Sequence, residues 1–144
     1  MKSFLELIQS IIGEVNSDYK FIFETERLMN VRADDKEFPL VFWEEYTDGS
    51  VSFDGYGRGK ERVRCELSFM RLAPRDNYQC DAIERERIRQ QIKEEIVYEF
   101  IKRLSSESVD YLQQTDFEVV AEPPRFDAVV ISVLVRFNLE RFIC

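Results

Sequence analysis

The feature that most narrows the fold lies near the C-terminus, in "DAVVISVLVRFNLE" at residues 127–140. Val129, Ile131, Val133, Val135, Phe137 and Leu139 stand at alternate positions, so an extended chain over about 128–139 points all six to one side. Such a row needs a large apolar surface to pack on, which implies a sheet with a second layer. Another periodicity supplies that layer. Ile88, Ile92, Ile96, Phe100 and Leu104 step by four, with Val97 and Ile101 widening the stripe. This predicts a helix of about six turns buried along one side.

The remaining elements fit around these two. Ser3 and Glu6 have capping-box spacing, and Phe4, Leu7, Ile8, Ile11, Ile12 and Val15 follow at helical spacing, predicting a first helix over 4–15 that ends near Gly13 and Asn16. Tyr19, Phe21 and Phe23 alternate with Lys20, Ile22 and Glu24 as a strand, and residues 27–37 read as a loop. "FPLVFWEEY" (38–46) is apolar on both faces, a central strand that tolerates Pro39 only at its start. "VSFD" reads as a short returning strand after the turn Thr47–Ser50. Val63, Cys65, Leu67 and Phe69 alternate with polar partners until Ala73-Pro74 stops that strand, and Phe117–Ala121 reads as another. The charged run "ERERIRQQIKEE" reads as the solvated side of the long helix. The expected fold class is α+β, one domain over 1–144. It comprises a single antiparallel (mixed) sheet with an N-terminal helix and one long helix packed on it.

Composition excludes some chemistry. The chain has no histidine, which removes imidazole base catalysis, Ser–His or Cys–His nucleophile activation and most zinc sites. Cys65, Cys80 and Cys144 form neither a disulfide framework nor a metal pattern and are expected to be reduced. Asp34-Asp35 and Glu44-Glu45 are adjacent pairs, whose members point to opposite faces of a strand and do not form a dyad. Trp43 and the tyrosines are expected in the core or an interface. No catalytic, cofactor-binding or metal site is assigned. A carboxylate or metal-dependent enzyme would need acids from separate strands to converge. No apolar run is long enough to span a membrane, and "MKSFLELIQS" lacks signal-peptide architecture, so intracellular synthesis is expected.

"DGYGRGKERVR" (54–64) places Gly55, Gly57 and Gly59 before Arg62 and Arg64, with Arg58 and Lys60 interleaved. It is no phosphate loop, because Gly59-Lys60 is followed by Glu61 and a strand, and a helix N-terminus is missing. It reads as a hairpin tip that offers cations outward. The net charge is −8, unevenly spread: 12 acids and 5 bases over 1–57, 9 and 12 over 58–104, 7 and 3 over 105–144. Overall acidity disfavours general nucleic-acid binding, whereas segregated charge suits head-to-tail contact between copies.

The order of elements, with "EFPLVFWEEY", the glycine-tipped hairpin, "CELSFMRLAPRD" before a long helix and the closing "FEVVAEPPRFDAVVISVLVRF", resembles the tail terminator (tail-completion) proteins of long-tailed bacteriophages and related neck and minor tail proteins. The likeness is one of architecture and local patterns over nearly the whole chain. It implies a virion protein made in the bacterial cytoplasm and assembled as a ring, typically six copies. Such a ring caps the tail tube, joins it to the head through other tail-tube or neck proteins, and lets DNA pass without gripping it. The long charged helix departs from that pattern toward a neck or connector protein. On this reading Arg58, Lys60, Arg62 and Arg64 form one half of the subunit interface, with Pro123, Pro124, Arg125 and Phe126 as a second candidate. The alternative is a non-catalytic interaction adaptor on a similar fold, with one exposed apolar patch.

Overall fold

Two strands of fourteen residues, β4 (Gly59–Leu72) and β7 (Val130–Ile143), pair antiparallel along their full length, from Gly59 opposite Ile143 to Leu72 opposite Val130. They are the spine of a seven-stranded sheet. The computed structural model describes residues 3–24, 38–44, 49–72, 82–106, 111–112, 117–122 and 130–143. On one flank β1 (Lys20–Glu24) and β2 (Leu40–Glu44) extend the sheet beside the far half of β4, while β3 (Gly49–Phe53) pairs with its near half. On the other flank β5 (Tyr111–Leu112) and β6 (Glu118–Ala121) both pair with β7. The sheet is mixed because β1 runs parallel to β2. The loop expected at 27–37 lies outside the described residues.

Helix α1 (Phe4–Val15) has the bounds the spacing predicts. The Ser3 hydroxyl accepts from the Glu6 amide at 3.1 Å, and Asn16 ends the helix. Its buried side, Phe4, Leu7, Ile8, Ile11 and Ile12, contributes about 1.5–3 kcal/mol per fully buried residue. Helix α2 spans residues 82–106 and buries the expected stripe, Ile88, Ile92, Ile96, Val97, Phe100 and Leu104. Its middle turn, Lys93–Val97, is π-helical, with the Tyr98 amide donating to the Lys93 carbonyl. The reason is in the period. Each four-residue step overshoots a 3.6-residue turn by about 40°, and one wider turn keeps the row on the sheet.

The helices cover one face. Cys65, Leu67 and Phe69 of β4 and Ile131, Val133, Val135, Phe137 and Leu139 of β7 meet them there. Phe100 lies 5.6 Å from Phe69 and 6.0 Å from Phe137, and Trp43 is buried against Phe23 at 5.0 Å. Burial pushes the Cys65 thiol up to about 12, so it stays uncharged; Cys80 and Cys144 lie outside the described residues. Glu95, on the π turn, ties three elements together. It accepts from the Tyr19 hydroxyl at 3.0 Å and Gln91 at 2.9 Å, and pairs with Arg71. Burial, with the Glu95 carboxylate adding to it, holds the Tyr19 phenol well above its ordinary range.

The opposite face divides in two. At the β1–β2 end it is buried around Ile22, Leu40, Phe42, Met70 and Val130. Beside that cluster the buried Glu122 accepts from Ser68 at 2.8 Å and Ser132 at 3.0 Å. The single-faced expectation for the last strand therefore changes, because Val130, Ser132 and Leu134 are buried as well. At the β3 end the same face is charged and open to solvent.

Candidate interaction surface

The glycine stretch is a hairpin tip joining β3 to β4. Its shape comes from one side chain. The Asp54 carboxylate accepts from the Tyr56 amide at 2.8 Å and the Arg58 amide at 3.0 Å, and the Arg58 guanidinium closes on it at 2.6 Å. The Asp54 amide in turn donates to the Arg58 carbonyl at 2.9 Å, and Gly57 takes φ +78°, which an L side chain rarely adopts. The two amides, then the guanidinium, hold the Asp54 carboxyl below the ordinary carboxylate range. A depressed carboxyl stabilises the fold above its unfolded pKa, and that stabilisation is lost as pH falls through the folded value. Acidification is thus expected to lower the protection of the Tyr56 and Arg58 amides against exchange, measured relative to the intrinsic exchange rate at each pH. D54N should abolish most of that pH dependence, since it keeps the acceptor oxygen and loses the titration.

Gly59, where β4 begins, permits a close approach. A Cβ there would stand 2.5 Å from Phe53 Cε1 and 2.6 Å from the Ile143 carbonyl oxygen. G59A is expected to destabilise by about 1–2 kcal/mol, because backbone cannot yield as a flexible side chain does. Chemical denaturation reads this directly.

All four expected cations are on this hairpin, and each has a carboxylate partner in the chain. Arg58 pairs with Asp54, Lys60 and Arg62 share Glu140 at 3.6 and 3.5 Å, and Arg64 meets Glu66 at 3.3 Å. Glu66 also meets Arg136, which reaches Glu118 on β6. The result is a ladder of ion pairs across β4, β7 and β6. All of these cations remain more than a third exposed, so the pairs contribute little to stability. Pro123, Pro124, Arg125 and Phe126 lie outside the described residues, as do Asp34, Asp35 and Glu45.

Sequence reading passed over the apolar part of this surface. Every residue of β3 is exposed, with Val51 at 58% and Phe53 at 65%, and Tyr56 and Phe142 stand out beside them. Phe53, Phe142, Arg58 and Lys60 help to line a cavity of about 510 Å³ at the base of the tip. The available signal was "GSVSF" itself, a strand with no charged side chain to mark it as a solvated edge. By contrast the run on α2 spends its charges internally: Arg87 meets Glu84 at 3.1 Å on the exposed side, but Arg89 departs from the expected solvated side, since it is largely buried and donates to the Glu122 carbonyl at 3.1 Å besides meeting Glu86 at 3.7 Å.

Among the described residues no group of three or more acidic or cysteine side chains is placed to hold a metal ion, and no helix is long and apolar enough to cross a membrane. No protein-family model matches the chain, and no curated protein matches its sequence.

Proposed function

We propose that the protein is a structural subunit that assembles with copies of itself as a ring in a phage tail or neck, in the manner of tail terminators. The observation that carries this reading is the hairpin 49–64, which offers an uncharged strand exposed at every residue, large apolar side chains and partly neutralised cations together. Val51 and Phe53 share one side of the hairpin, and Phe142 stands with Lys60 on the other; exposed apolar surface of that kind marks a contact site. A rigid base supports it, since β4 and β7 hold the hairpin along a fourteen-residue ladder. The resemblance in element order gives the assembly its form, a ring that caps a tail tube and meets other tail or neck proteins. The acidic balance of the chain suits a lumen that lets DNA pass without binding its phosphates.

The exposed Val51 and Phe53, which share one side of the hairpin, favour a second reading, an adaptor that docks one partner protein through a single apolar patch. Negative-stain images of the purified full chain separate the two. Closed rings of uniform diameter support the tail or neck reading. Particles of monomer or dimer size at high protein concentration would favour the adaptor.

A further inference from the structure

We infer that the β3 edge receives, as an added strand, an extended segment of a partner protein whose side chains alternate between acidic and apolar, an inference that rests on hairpin 49–64 being a contact surface.

The backbone of β3 is open to a further strand. Among the described residues β3 pairs only with β4, and "GSVSF" has no lysine, proline or charge to discourage addition. Gly49 is exposed like the rest of the strand, and the surface of a glycine is backbone. An added strand draws affinity from main-chain hydrogen bonds and selectivity from its alternate side chains.

The two sides of this edge differ in kind. On one side an added strand meets Val51 and Phe53, both exposed and apolar. On the other side β3 offers only Ser50 and Ser52, whose cross-strand partners are Arg62 and Lys60. Serine is too short to screen a cation one strand behind it. The added strand would lie about 9–10 Å from β4, two strand spacings, a gap that a glutamate and an arginine or lysine span together.

These two cations keep capacity for such a partner. Among the described residues they share Glu140, at 3.6 and 3.5 Å, longer than charged hydrogen bonds of about 2.7–2.9 Å. One carboxylate between two exposed cations leaves the face net positive beside Ser50 and Ser52. Arg58, by contrast, is spent on Asp54 at 2.6 Å, and Arg64 and Arg136 are balanced by Glu66 and Glu118. The strand that fits therefore carries acids on the serine side and apolar residues on the Val51 side.

Fluorescence anisotropy of labelled heptapeptides with the purified full chain tests this. The acidic probe is EVEVEVE; KVKVKVK keeps its apolar side with reversed charge, and EEVVEEV keeps its composition without the alternation. The wild type is expected to bind EVEVEVE at least about tenfold more tightly than either control. R62E is expected to invert the preference in favour of KVKVKVK, and V51D to weaken EVEVEVE about tenfold. Far-UV dichroism verifies folding; if R62E is not folded, K60E makes the same reversal. No binding of EVEVEVE up to about 1 mM overturns the inference, as does equal binding of the two acidic probes or an R62E variant whose preference is unchanged. A wild-type multimer that V51D dissociates also overturns it, since a second copy would then occupy the edge. Rings that bind none of the probes overturn the inference and leave self-assembly standing, whereas selective binding by a chain that forms no rings supports the inference and overturns the ring.

Discussion

F100A is expected to lower the stability of the fold by about 3–5 kcal/mol, the cost of a buried phenylalanine plus the cavity it leaves. Phe100 has no exposed surface and sits where the layers meet, its ring against Phe69 of β4 and Phe137 of β7. No neighbour can easily fill the space, since the spine strands are held along a fourteen-residue ladder and α2 is fixed by the rest of its stripe. Urea denaturation reads the change as a lower midpoint with an unchanged slope. A loss below about 1 kcal/mol would contradict the packing of α2 on the spine strands.

E95A is expected to cost about 2–3 kcal/mol, a large effect for a residue that keeps nearly a third of its side-chain surface exposed. The reason is connectivity. One carboxylate serves Tyr19 before β1, Arg71 at the end of β4 and Gln91 one turn earlier on α2. Removing it leaves the Tyr19 hydroxyl and the Arg71 guanidinium without this acceptor. Solvent reaches the site, so the figure sits below that of a fully buried ion pair. E95Q keeps an acceptor for Tyr19 and loses the charge facing Arg71, so it should fall between wild type and alanine. Equal stability of all three proteins would remove Glu95 as the tie between the helix and the sheet.

Patterns of period two and four were legible because burial writes them directly. The bounds of α1, the alternating side of β4 and the stripe of α2 all followed from which residues must leave water. The stripe also held information that went unread. A strict step of four is too long for an ordinary helix, and Ile88 through Leu104 already implied the wide turn at 93–97 that presents Glu95. Strand direction was less legible. Nothing in "DYKFIFE" says whether it runs with or against "LVFWE"; the parallel pairing is a property of the sheet. The buried Ser132 and Glu122 were hidden for another reason, because polar residues enter a core only as partners, and Ser68 is 54 residues from the Glu122 it bonds. In the candidate surface, Arg58, Lys60, Arg62 and Arg64 could be read as a basic hairpin, but Glu140 of β7, which Lys60 and Arg62 share, could not be read as their partner. The exposure of Val51 and Phe53 depends on β3 being an edge, which is a property of the sheet and not of the segment.

The mass of the purified full chain in solution, compared at low and high salt, tests the central claim most directly. If contact between basic and acidic parts of neighbouring copies joins them, the chain is a multimer at low salt and loosens as salt screens the contact. A monomer at both salts, at concentrations where rings should form, would contradict it.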